Sequence, residues 1–332
     1  MIASHVFGPK LKLFAIALSI IFLGLIDARL THAQDVYPDH EIKLVVPFPA
    51  GGAADTVARV IARELTADLG QPVVIDNRPG ADGGIAAAHI AHAKPDGYTL
   101  FMATYGAMSV VPTLHPSIDY NPVADFTPIT LAGYFDLFLF VHPQLGVNTL
   151  PEFLRYARAH PGEVLYATGN TGSIVATALL AKREGVTLKH IPYKGEVPAL
   201  TDFLDGRIHA MIATPSNTAH WVSEGKLKAL ATLSEKRSLL LPDVPTLSEA
   251  GLAPMLLSTW GGVFGPADMP VERVARLADK INAILGRSEI QNELIGQGFT
   301  VHGSTPEGLG ELTGKQLIVW QNAIHQAGIP IQ

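Results

Sequence analysis

Two short stretches of the chain place a glycine-rich turn between an apolar run and a helical pattern. The first is Leu44–Leu69, LVVPFPAGGAADTVARVIARELTADL, and the second is Tyr166–Ala181, YATGNTGSIVATALLA. Such a turn leaves free backbone N–H groups at a helix N-terminus, where they can bind an anion. One such turn in each half of the chain favours a ligand with polar groups at both ends. A plain tight turn without a ligand is the alternative in both places.

The first turn does not match the phosphate-binding motifs of nucleotides. A P-loop has the form GxxxxGK[ST], but Gly51-Gly52 is followed by Ala-Ala-Asp and by no lysine. The third glycine of a dinucleotide fingerprint is also missing. We therefore interpret Asp55 as mainly structural, the N-cap of the helix, with its carboxylate bonded to the amides near Ala58. In the second turn, Ser173 is the predicted N-cap.

Two further polar groups follow predicted strands. Arg78 could bind a ligand carboxylate in a fork, but pairing with a nearby acid that fixes its turn is the favoured role. Tyr193 and Lys194 come at the end of another strand. In open α/β sheets that edge faces the ligand crevice, although a surface turn is the alternative.

Signatures of catalysis and of metal binding are poor. His89 and His92 are spaced i, i+3 on a predicted helix, but no HExxH and no third ligand accompany them. Ser223 to Lys226 formally matches SxxK, yet its companions SDN and KTG are absent. There is no GxSxG elbow, and the chain has no cysteine. We expect a protein that is not an enzyme and that uses no metal or other cofactor.

Charge limits the partners. The 332 residues have a formal net charge of −6 and no large basic block. Binding of nucleic acid, or of an anionic membrane surface, depends on clustered Lys and Arg. We therefore expect neither partner.

The N-terminus has the pattern of an export signal. Lys10 and Lys12 precede the apolar run Leu13–Ile26, which is short for a membrane-spanning helix. Thr31 and Ala33 then occupy the small-residue positions that precede a cleavage site at Gln34. We predict a signal peptide over residues 1–33, cut near Ala33, with an uncleaved anchor as the alternative. Since no cysteine is available for lipid attachment, we predict a periplasmic location.

Strands and helices alternate from Glu41 onward, which predicts parallel sheets covered by helices. The predicted strands are Ile42–Val46, Val73–Asp76, Thr99–Ala103, Leu137–Val141, Val164–Ala167, Leu188–Ile191, Ala210–Ala213 and Lys228–Thr232. The predicted helices are Thr56–Leu69, Pro151–Ala159, Ser173–Glu184, Val197–Leu204, Val271–Leu285, Glu289–Gly296 and Pro306–Ala327. Breaks near Gly133–Asp136 and Ser258–Gly262 are candidate crossings between two lobes.

Several motifs together resemble those of one family. They are, in order, YPDHEIKLVVPFPAGGAAD, LGQPVVIDNRPGADGGIAA, KPDGYTL, DFTPIT, IPYKGEVPALTDFLDGRI, LPDVPTLSEAGL and STWGG. Their order and spacing resemble the Bug-type, TctC-like receptors, which are the periplasmic solute-binding proteins of tripartite tricarboxylate transporters. The resemblance runs from Gln34 to the C-terminus.

The resemblance implies an α/β fold, a two-lobed periplasmic binding protein clamshell in which each lobe is a Rossmann-like sheet covered by helices. Lobe 1 would comprise residues 34–135 and 259–332, and lobe 2 residues 136–258. It also implies that a small organic carboxylate binds between the lobes of a monomer, which delivers it to integral membrane permease subunits.

The resemblance further implies the ligand contacts. In lobe 1 they are Phe48, Ala50, Gly51, Gly52, Ala53, Ala54, Asp55, Thr104, Tyr105, Gly106, Ala107 and Met108. In lobe 2 they are Gly169, Asn170, Thr171, Gly172, Ser173, Tyr193, Lys194, Gly195, Thr214, Pro215 and Ser216.

The chain departs from the family pattern at polar positions. Ile174–Ala176 stand where the family often has a histidine, Ala107-Met108 where it has a threonine–histidine pair, and Ile212-Ala213 where it has Asp-Asn. Because buried polar groups need partners, binding sites match the polarity of their ligands. We therefore expect a ligand with a larger apolar or aromatic body than succinate or citrate.

Two other functions stay open at this point. The binding protein could serve as the input of a membrane sensor kinase, and neighbouring genes would distinguish that case. A secreted α/β hydrolase would need a nucleophile–base pair in the crevice, and no such pair is evident in the sequence. A fold alone does not decide between these functions.

Overall fold

The computed structural model describes residues 37–193 and 195–331. His40–Gln332 form one compact unit, and every element named below lies in it. The predicted signal peptide over residues 1–33, its cut near Ala33 and the predicted site residue Lys194 lie outside the described residues. In the part of the chain that is described, no helix is both long and apolar enough to cross a bilayer.

Six strands form the first sheet. They are β1 (Ile42–Val46), β2 (Val73–Asn77), β3 (Thr99–Thr104), β4 (Phe126–Phe135), β10 (Trp260–Pro266) and β11 (Phe299–Val301). Their order across the sheet is β11-β4-β10-β3-β1-β2. β1 is parallel to β2 and β3, whereas β10 is antiparallel to both β3 and β4.

Five strands form the second sheet. They are β5 (Phe138–Val141), β6 (Leu165–Thr168), β7 (Lys189–Pro192), β8 (Ala210–Ala213) and β9 (Lys228–Thr232). Their order is β7-β6-β8-β5-β9. β6 is parallel to β7 and β8, whereas β5 is antiparallel to β8 and β9. The fold is therefore a mixed α/β fold with two sheets.

The helices of the described residues follow the strands in alternation. They are α1 (Ala53–Leu69), α2 (Gly84–Ala91), α3 (Val111–Leu114), α4 (Leu150–Ala159), α5 (Thr171–Glu184), α6 (Glu196–Leu204), α7 (Ala219–Ser223), α8 (Val271–Leu285), α9 (Ser288–Ile295) and α10 (Pro306–Ala327). Short 3₁₀ turns cover Ala81–Gly83, Pro143–Leu145 and Pro215–Asn217, and a π-helical turn covers Gly106–Val110.

The ends of α4 and α1 show why these segments are helical. The Thr149 side chain caps α4 by accepting a hydrogen bond from the Glu152 N–H at 3.3 Å. Leu150, Phe153 and Leu154 of α4 are buried on one face, as the helical period requires. α1 ends at Gly70, whose φ of 71° is a left-handed conformation that glycine adopts without strain. The local signals in the sequence thus agree with the packing.

The predicted strands and helices are confirmed, with ends that shift by up to three residues. The prediction of parallel sheets was wrong, because both sheets are mixed. The strands β4, β10 and β11 were missed. β4 contains Pro128 and Gly133, and β10 contains two adjacent glycines, so neither shows the apolar pattern of a strand.

The chain passes from the first sheet to the second between β4 and β5. The Phe135 N–H donates to the Thr259 carbonyl at 2.8 Å, and the Asp136 N–H donates to the Gly298 carbonyl at 2.9 Å. The Asp136 carboxylate also accepts a hydrogen bond from the Ser238 hydroxyl. All strands of the first sheet lie within residues 34–135 and 259–332, and those of the second lie within 136–258. The division into two lobes at these boundaries stays a prediction.

Candidate functional site

A cavity of about 440 Å³ lies among the turns that follow strands of both sheets. Its volume is in the usual range for small-molecule sites. The lining residues from the first sheet and its turns are Phe48, Pro49, Ala50, Gly51, Gly52, Ala53, Ala54, Asp82, Thr104, Tyr105, Gly106 and Phe135. Those from the second are Leu137, Gly169, Asn170, Gly195, Glu196, Val197, Pro198, Thr214 and Asn217.

The turn before α1 presents backbone N–H groups to the cavity. α1 begins at Ala53, and its N-cap Gly52 has no side chain to cap the helix. The first intrahelical bond runs from the Thr56 N–H to the Gly52 carbonyl at 2.9 Å. Among the described residues, the N–H groups of Ala53 and Ala54 donate to no protein acceptor. They are therefore available to an anion in the cavity.

The Asp55 carboxylate stabilises this turn through hydrogen bonds. Its carboxylate is 1 % exposed, and it accepts hydrogen bonds from the Gly51 N–H at 2.9 Å, Arg59 Nε at 2.8 Å and Asn77 Nδ2 at 2.8 Å. The predicted N-cap role was wrong, because the helix begins two residues before Asp55. Burial raises the pKa of Asp55, but the bonds from Arg59, Asn77 and Gly51 outweigh it and hold the pKa below its usual 3.8.

Replacing Asp55 with asparagine is expected to lower the free energy of unfolding at neutral pH by about 2–4 kcal/mol. The new side-chain NH₂ would face groups that can only donate. Since the folded-state pKa lies below 3.8, the stabilisation is complete above that pH and is lost as pH falls through the folded-state pKa. Urea denaturation over a pH series measures both effects, and the variant should show the flatter acid profile.

The control for this change is Asp243→Asn, since Asp243 is an exposed acid. It should leave the free energy of unfolding within about 0.5 kcal/mol of that of the parent protein. Equal effects of the two substitutions would contradict the role given to Asp55.

The turn before α5 faces residues of the first sheet. Asn170, and not Ser173 as predicted, is the N-cap of α5, because its side chain accepts the Ser173 N–H at 2.8 Å. The same oxygen accepts the Tyr105 hydroxyl at 3.3 Å. The Asp82 carboxylate accepts the Thr171 N–H at 3.1 Å. These bonds join the turns that follow strands of the two sheets.

The start of α6 forms a third wall of the cavity. Gly195 is its N-cap, with a φ of 107° and no capping side chain. Glu196, the first residue of α6, accepts hydrogen bonds from the Thr214 N–H at 3.1 Å, the Thr214 hydroxyl at 3.0 Å and Asn217 Nδ2 at 3.4 Å. Burial raises the pKa of both Glu196 and Asp82, and bonds from Thr214, Asn217 and Thr171 offset this only in part.

More than half of the predicted contacts line the cavity. These are Phe48, Ala50, Gly51, Gly52, Ala53, Ala54, Thr104, Tyr105, Gly106, Gly169, Asn170, Gly195 and Thr214. The described residues Asp55, Ala107, Met108, Thr171, Gly172, Ser173, Tyr193, Pro215 and Ser216 do not line it.

Several of the residues outside the lining have structural contacts. Tyr193 donates its hydroxyl proton to Asp202 at 2.6 Å. Ala107 and Met108 are fully buried in the core. Arg78 pairs with Asp76 at 2.8 Å, which confirms its predicted structural role.

The sequence prediction missed eight lining residues. They are Pro49, Asp82, Phe135, Leu137, Glu196, Val197, Pro198 and Asn217. Glu196 and Val197 directly follow the predicted Tyr193–Gly195 stretch, so extending that stretch by one turn would have found them. Asp82 lies in a glycine-rich turn, and no local signal distinguishes it from an ordinary turn residue.

The cavity wall is apolar between its polar ends. Phe48, Pro49, Phe135, Leu137 and Val197 contribute apolar surface. The positions whose apolar character motivated the prediction of an apolar ligand, Ala107-Met108, Ile174–Ala176 and Ile212-Ala213, do not line the cavity. Of the lining residues that the structure describes, none is Lys, Arg or His.

Comparison with known proteins gives matches over most of the chain. The family described as "Tripartite tricarboxylate transporter family receptor" matches residues 57–329. Protein BugT of Bordetella pertussis (strain Tohama I) is 34% identical over 315 residues, which cover 94% of this chain and 97% of BugT.

Two solved structures are similar over the same region. R. palustris Rpa4515 with adipate has a TM-score of 0.83 and 31% identity, covering 89% of this chain and 99% of its own. MatC (Rpa3494) from Rhodopseudomonas palustris with bound malate has a TM-score of 0.78 and 33% identity, covering 87% of this chain and 100% of its own. Both confirm the expected periplasmic binding protein fold.

These relatives are receptors, which bind a solute without converting it, and this chain is likewise a binding protein and not an enzyme. The resemblance in sequence motifs is thus confirmed over most of the chain, and the chain belongs to the tripartite tricarboxylate transporter receptor family.

Proposed function

We propose that this protein captures a small organic carboxylate with an apolar or aromatic body in the periplasm. The chain is exported by a signal peptide that is cut near Ala33. The ligand binds between the two lobes, and the loaded protein delivers it to the membrane permease subunits of a tripartite tricarboxylate transporter. Input to a sensor kinase is the alternative for the last step.

The cavity supports this proposal through its two kinds of surface. The free N–H groups of Ala53 and Ala54 offer an anion-binding end made of backbone. The rings of Phe48 and Phe135 and the side chain of Leu137 offer apolar contact for a ligand body. A carboxylate therefore binds at the turn before α1, and its body lies against the apolar wall.

The two solved structures support the ligand class. Rpa4515 was solved with adipate and MatC with bound malate, and both compounds are carboxylates. Both proteins align with this chain over nearly nine-tenths of its length. The apolar wall described above favours the longer methylene chain of an adipate-like ligand over the short, hydroxylated malate.

Binding would close the protein by a shift of population. The bonds from Tyr105 to Asn170 and from Thr171 to Asp82 connect turns of the two sheets. A ligand that contacts both turns gains interactions only while they face each other. It therefore stabilises that arrangement in proportion to those extra contacts.

A thermal-shift screen against carboxylates tests the proposed ligand class. The purified protein is first unfolded and refolded to remove bound ligand, then mixed with aliphatic, aromatic and hydroxylated acids. A ligand at a hundred times its dissociation constant adds about 2.7 kcal/mol to the free energy of unfolding. We expect shifts with long-chain or aromatic acids.

A response to small hydroxylated di- and tricarboxylates alone would contradict the apolar body, and no response to any acid would contradict the function. Uptake of the identified acid by cells, measured with and without the permease subunits, tests the delivery step.

A further inference from the structure

Two of the helices that begin at the cavity differ in what their first backbone N–H groups contact. At the start of α1, the N–H groups of Ala53 and Ala54 donate to no acceptor among the described residues. At the start of α5, the Thr171 N–H donates to the Asp82 carboxylate at 3.1 Å. The N-terminus of α1 is therefore open to an anion, whereas that of α5 already binds a carboxylate of the protein itself.

Asn170 satisfies most of the remaining groups at the start of α5. Its side chain accepts the Ser173 N–H at 2.8 Å, and its carbonyl accepts the Ile174 N–H at 3.3 Å. With Asp82 on the Thr171 N–H, three of the first four N–H groups of α5 have acceptors within the protein. This helix end therefore leaves few donors for a carboxylate of the ligand.

The Asp82 carboxylate reaches α5 from the other sheet. Asp82 follows β2 of the first sheet, and Thr171 follows β6 of the second. Asp82 is half-buried and lines the cavity. A Cβ at Gly106 would lie 3.5 Å from Asp82 Oδ1, so the glycine leaves the space that this carboxylate occupies. The carboxylate thus lies between the turn after β3 and the N-terminus of α5.

The turn that carries Asp82 has a strained backbone. Four consecutive residues, Gly80 to Gly83, have positive φ angles of 132°, 47°, 50° and 97°. Ala81 and Asp82 have side chains, and the left-handed conformation costs such residues free energy. Among the described residues, Asp268 is the one other non-glycine residue with a positive φ. Backbone strain persists where the surrounding structure imposes it, and ligand clamps are one such place. Here the strained turn aims a carboxylate at α5.

A carboxylate at a helix N-terminus occupies the place that an anionic group of a ligand would take. It accepts an N–H of the first turn and interacts favourably with the helix dipole. A second carboxylate of the ligand would have to displace Asp82 or lie beside it, and like charges at short distance repel each other. Such like-charge contacts discriminate against the wrong partner.

We propose that Asp82 is a specificity-determining residue, because it occupies the N-terminus of α5 as an internal anion and excludes a second carboxylate of the ligand from that turn. This inference rests on the proposed function, in which the ligand carboxylate binds at the turn before α1. It replaces the expectation from the sequence that each of the two turns binds a polar end of the ligand. The end of the ligand that faces α5 then carries no negative charge.

Pairs of acids matched in size test the exclusion. The probes are hexanoate against adipate, heptanoate against pimelate, and 4-methylbenzoate against terephthalate, titrated calorimetrically into refolded protein at neutral pH, where all their carboxyl groups are ionised. In the pair that fits best, we expect the monoacid to bind about tenfold or more tightly than the diacid. Equal affinities or a preference for the diacid would overturn the inference and leave the proposed function intact. If none of the six probes binds, both fail.

The variant Asp82→Gly removes the internal anion. Glycine suits the left-handed backbone at this position, so the N-terminus of α5 is vacated without added strain. We expect the affinity for the diacid to rise about tenfold or more relative to that for the monoacid. The ratio within a pair is the readout, because a general weakening of the contact between the turns would lower both affinities together. An unchanged ratio would overturn the inference.

Two further variants separate occupancy of the helix end from charge. Asp82→Asn keeps an oxygen for the Thr171 N–H but removes the charge, so the relative gain of the diacid should be about threefold or more and smaller than in Asp82→Gly. Glu196→Gln removes the other described acid that lines the cavity and leaves α5 occupied. Equal gains in Glu196→Gln and Asp82→Gly would overturn the inference, because the total charge of the cavity would then set the preference.

Asp268→Gly is the matched control. Asp268 is an exposed aspartate with a φ of 63°, and it does not line the cavity. Its replacement removes the same charge and the same kind of strain, and it should leave the affinity for every probe unchanged. Urea denaturation establishes that the variants are folded. If Asp82→Gly does not fold, Asp82→Asn decides the outcome, and an unchanged ratio in that variant would overturn the inference.

Discussion

Replacing Gly172 with alanine is expected to lower ligand affinity about 5- to 150-fold and to leave the free energy of unfolding nearly unchanged. A Cβ at Gly172 would overlap the Tyr105 ring and would lie 2.8 Å from its hydroxyl oxygen. Gly172 follows a strand of the second sheet and Tyr105 a strand of the first. The overlap therefore arises only while these turns face each other. Calorimetric titration measures the affinity, and urea denaturation measures the stability.

Gly314→Ala is the control for this prediction. Gly314 is also a helical glycine, but a Cβ there would have nothing within 4 Å. The control should keep full affinity and gain up to about 1 kcal/mol in free energy of unfolding, because alanine is the better helix former. Unchanged affinity in Gly172→Ala would show that ligand binding does not require the two turns to approach. A loss of free energy of unfolding as large as the loss of binding free energy would show that the contact between Gly172 and Tyr105 stabilises the ligand-free fold.

The contacts around Gly172 explain why a change of one methyl group should affect binding. Tyr105 is 8 % exposed, stacks on Trp320 at a centroid distance of 5.1 Å and donates to Asn170. Its ring is therefore held in place by Trp320, so an added Cβ is accommodated by separation of the two turns, in which Tyr105 gives up only its 3.3 Å bond to Asn170. Closely packed interiors transmit such a displacement instead of absorbing it.

The regular elements were predictable where the local pattern and the tertiary environment agree. β1 and β8 match their predicted bounds because each is a short apolar run bordered by turn residues. The amphipathic helices α8 and α10 also match. β4 and β10 were not predictable in this way. Pro128 and Gly133 of β4 and the two adjacent glycines of β10 have low strand propensity. They are held in strands because β4 and β10 pair with each other along their length.

The candidate site was predictable where a backbone turn forms it and less so where a distant side chain does. The turn before α1 and the turn before α5 follow from glycine, small residues and the start of a helical pattern. The cap positions were assigned wrongly for two different reasons. Asn170 caps α5 through a local bond to the Ser173 N–H, three residues on, whereas Asp55 is held by Asn77, which is distant in sequence.

Asp82 and Glu196, the two acids that line the cavity, could not be predicted from local sequence either. Nothing in the sequence around Asp82 or Glu196 indicates that each faces the cavity. That property depends on which turns of the two sheets come together, and such long-range proximity is not a local signal. The place of these two acids at the cavity is therefore visible only in the folded chain.

Replacing Gly133 with alanine is expected to lower the free energy of unfolding by about 3 kcal/mol or more. Gly133 lies near the end of β4 with a φ of 152°, a conformation that residues with a side chain rarely adopt. A Cβ there would overlap the Thr300 carbonyl oxygen and would lie 2.8 Å from the Phe299 ring. Since the obstacle is backbone of the paired strand β11, it cannot be relieved by a rotamer change. Urea denaturation measures the loss.

A second glycine gives a reference for a positive φ without steric overlap. Gly146 also has a positive φ, 68°, but a Cβ there would have nothing within 4 Å. Gly146→Ala should cost only the strain of the left-handed conformation, about 1–2 kcal/mol. The difference between the two variants then combines the greater strain of a φ of 152° with the overlap against β11. Equal losses of free energy of unfolding in the two variants would mean that β11 moves away from β4 at little cost. The crossing at Phe135–Asp136 would then lack the rigid support that its bonds to Thr259 and Gly298 imply.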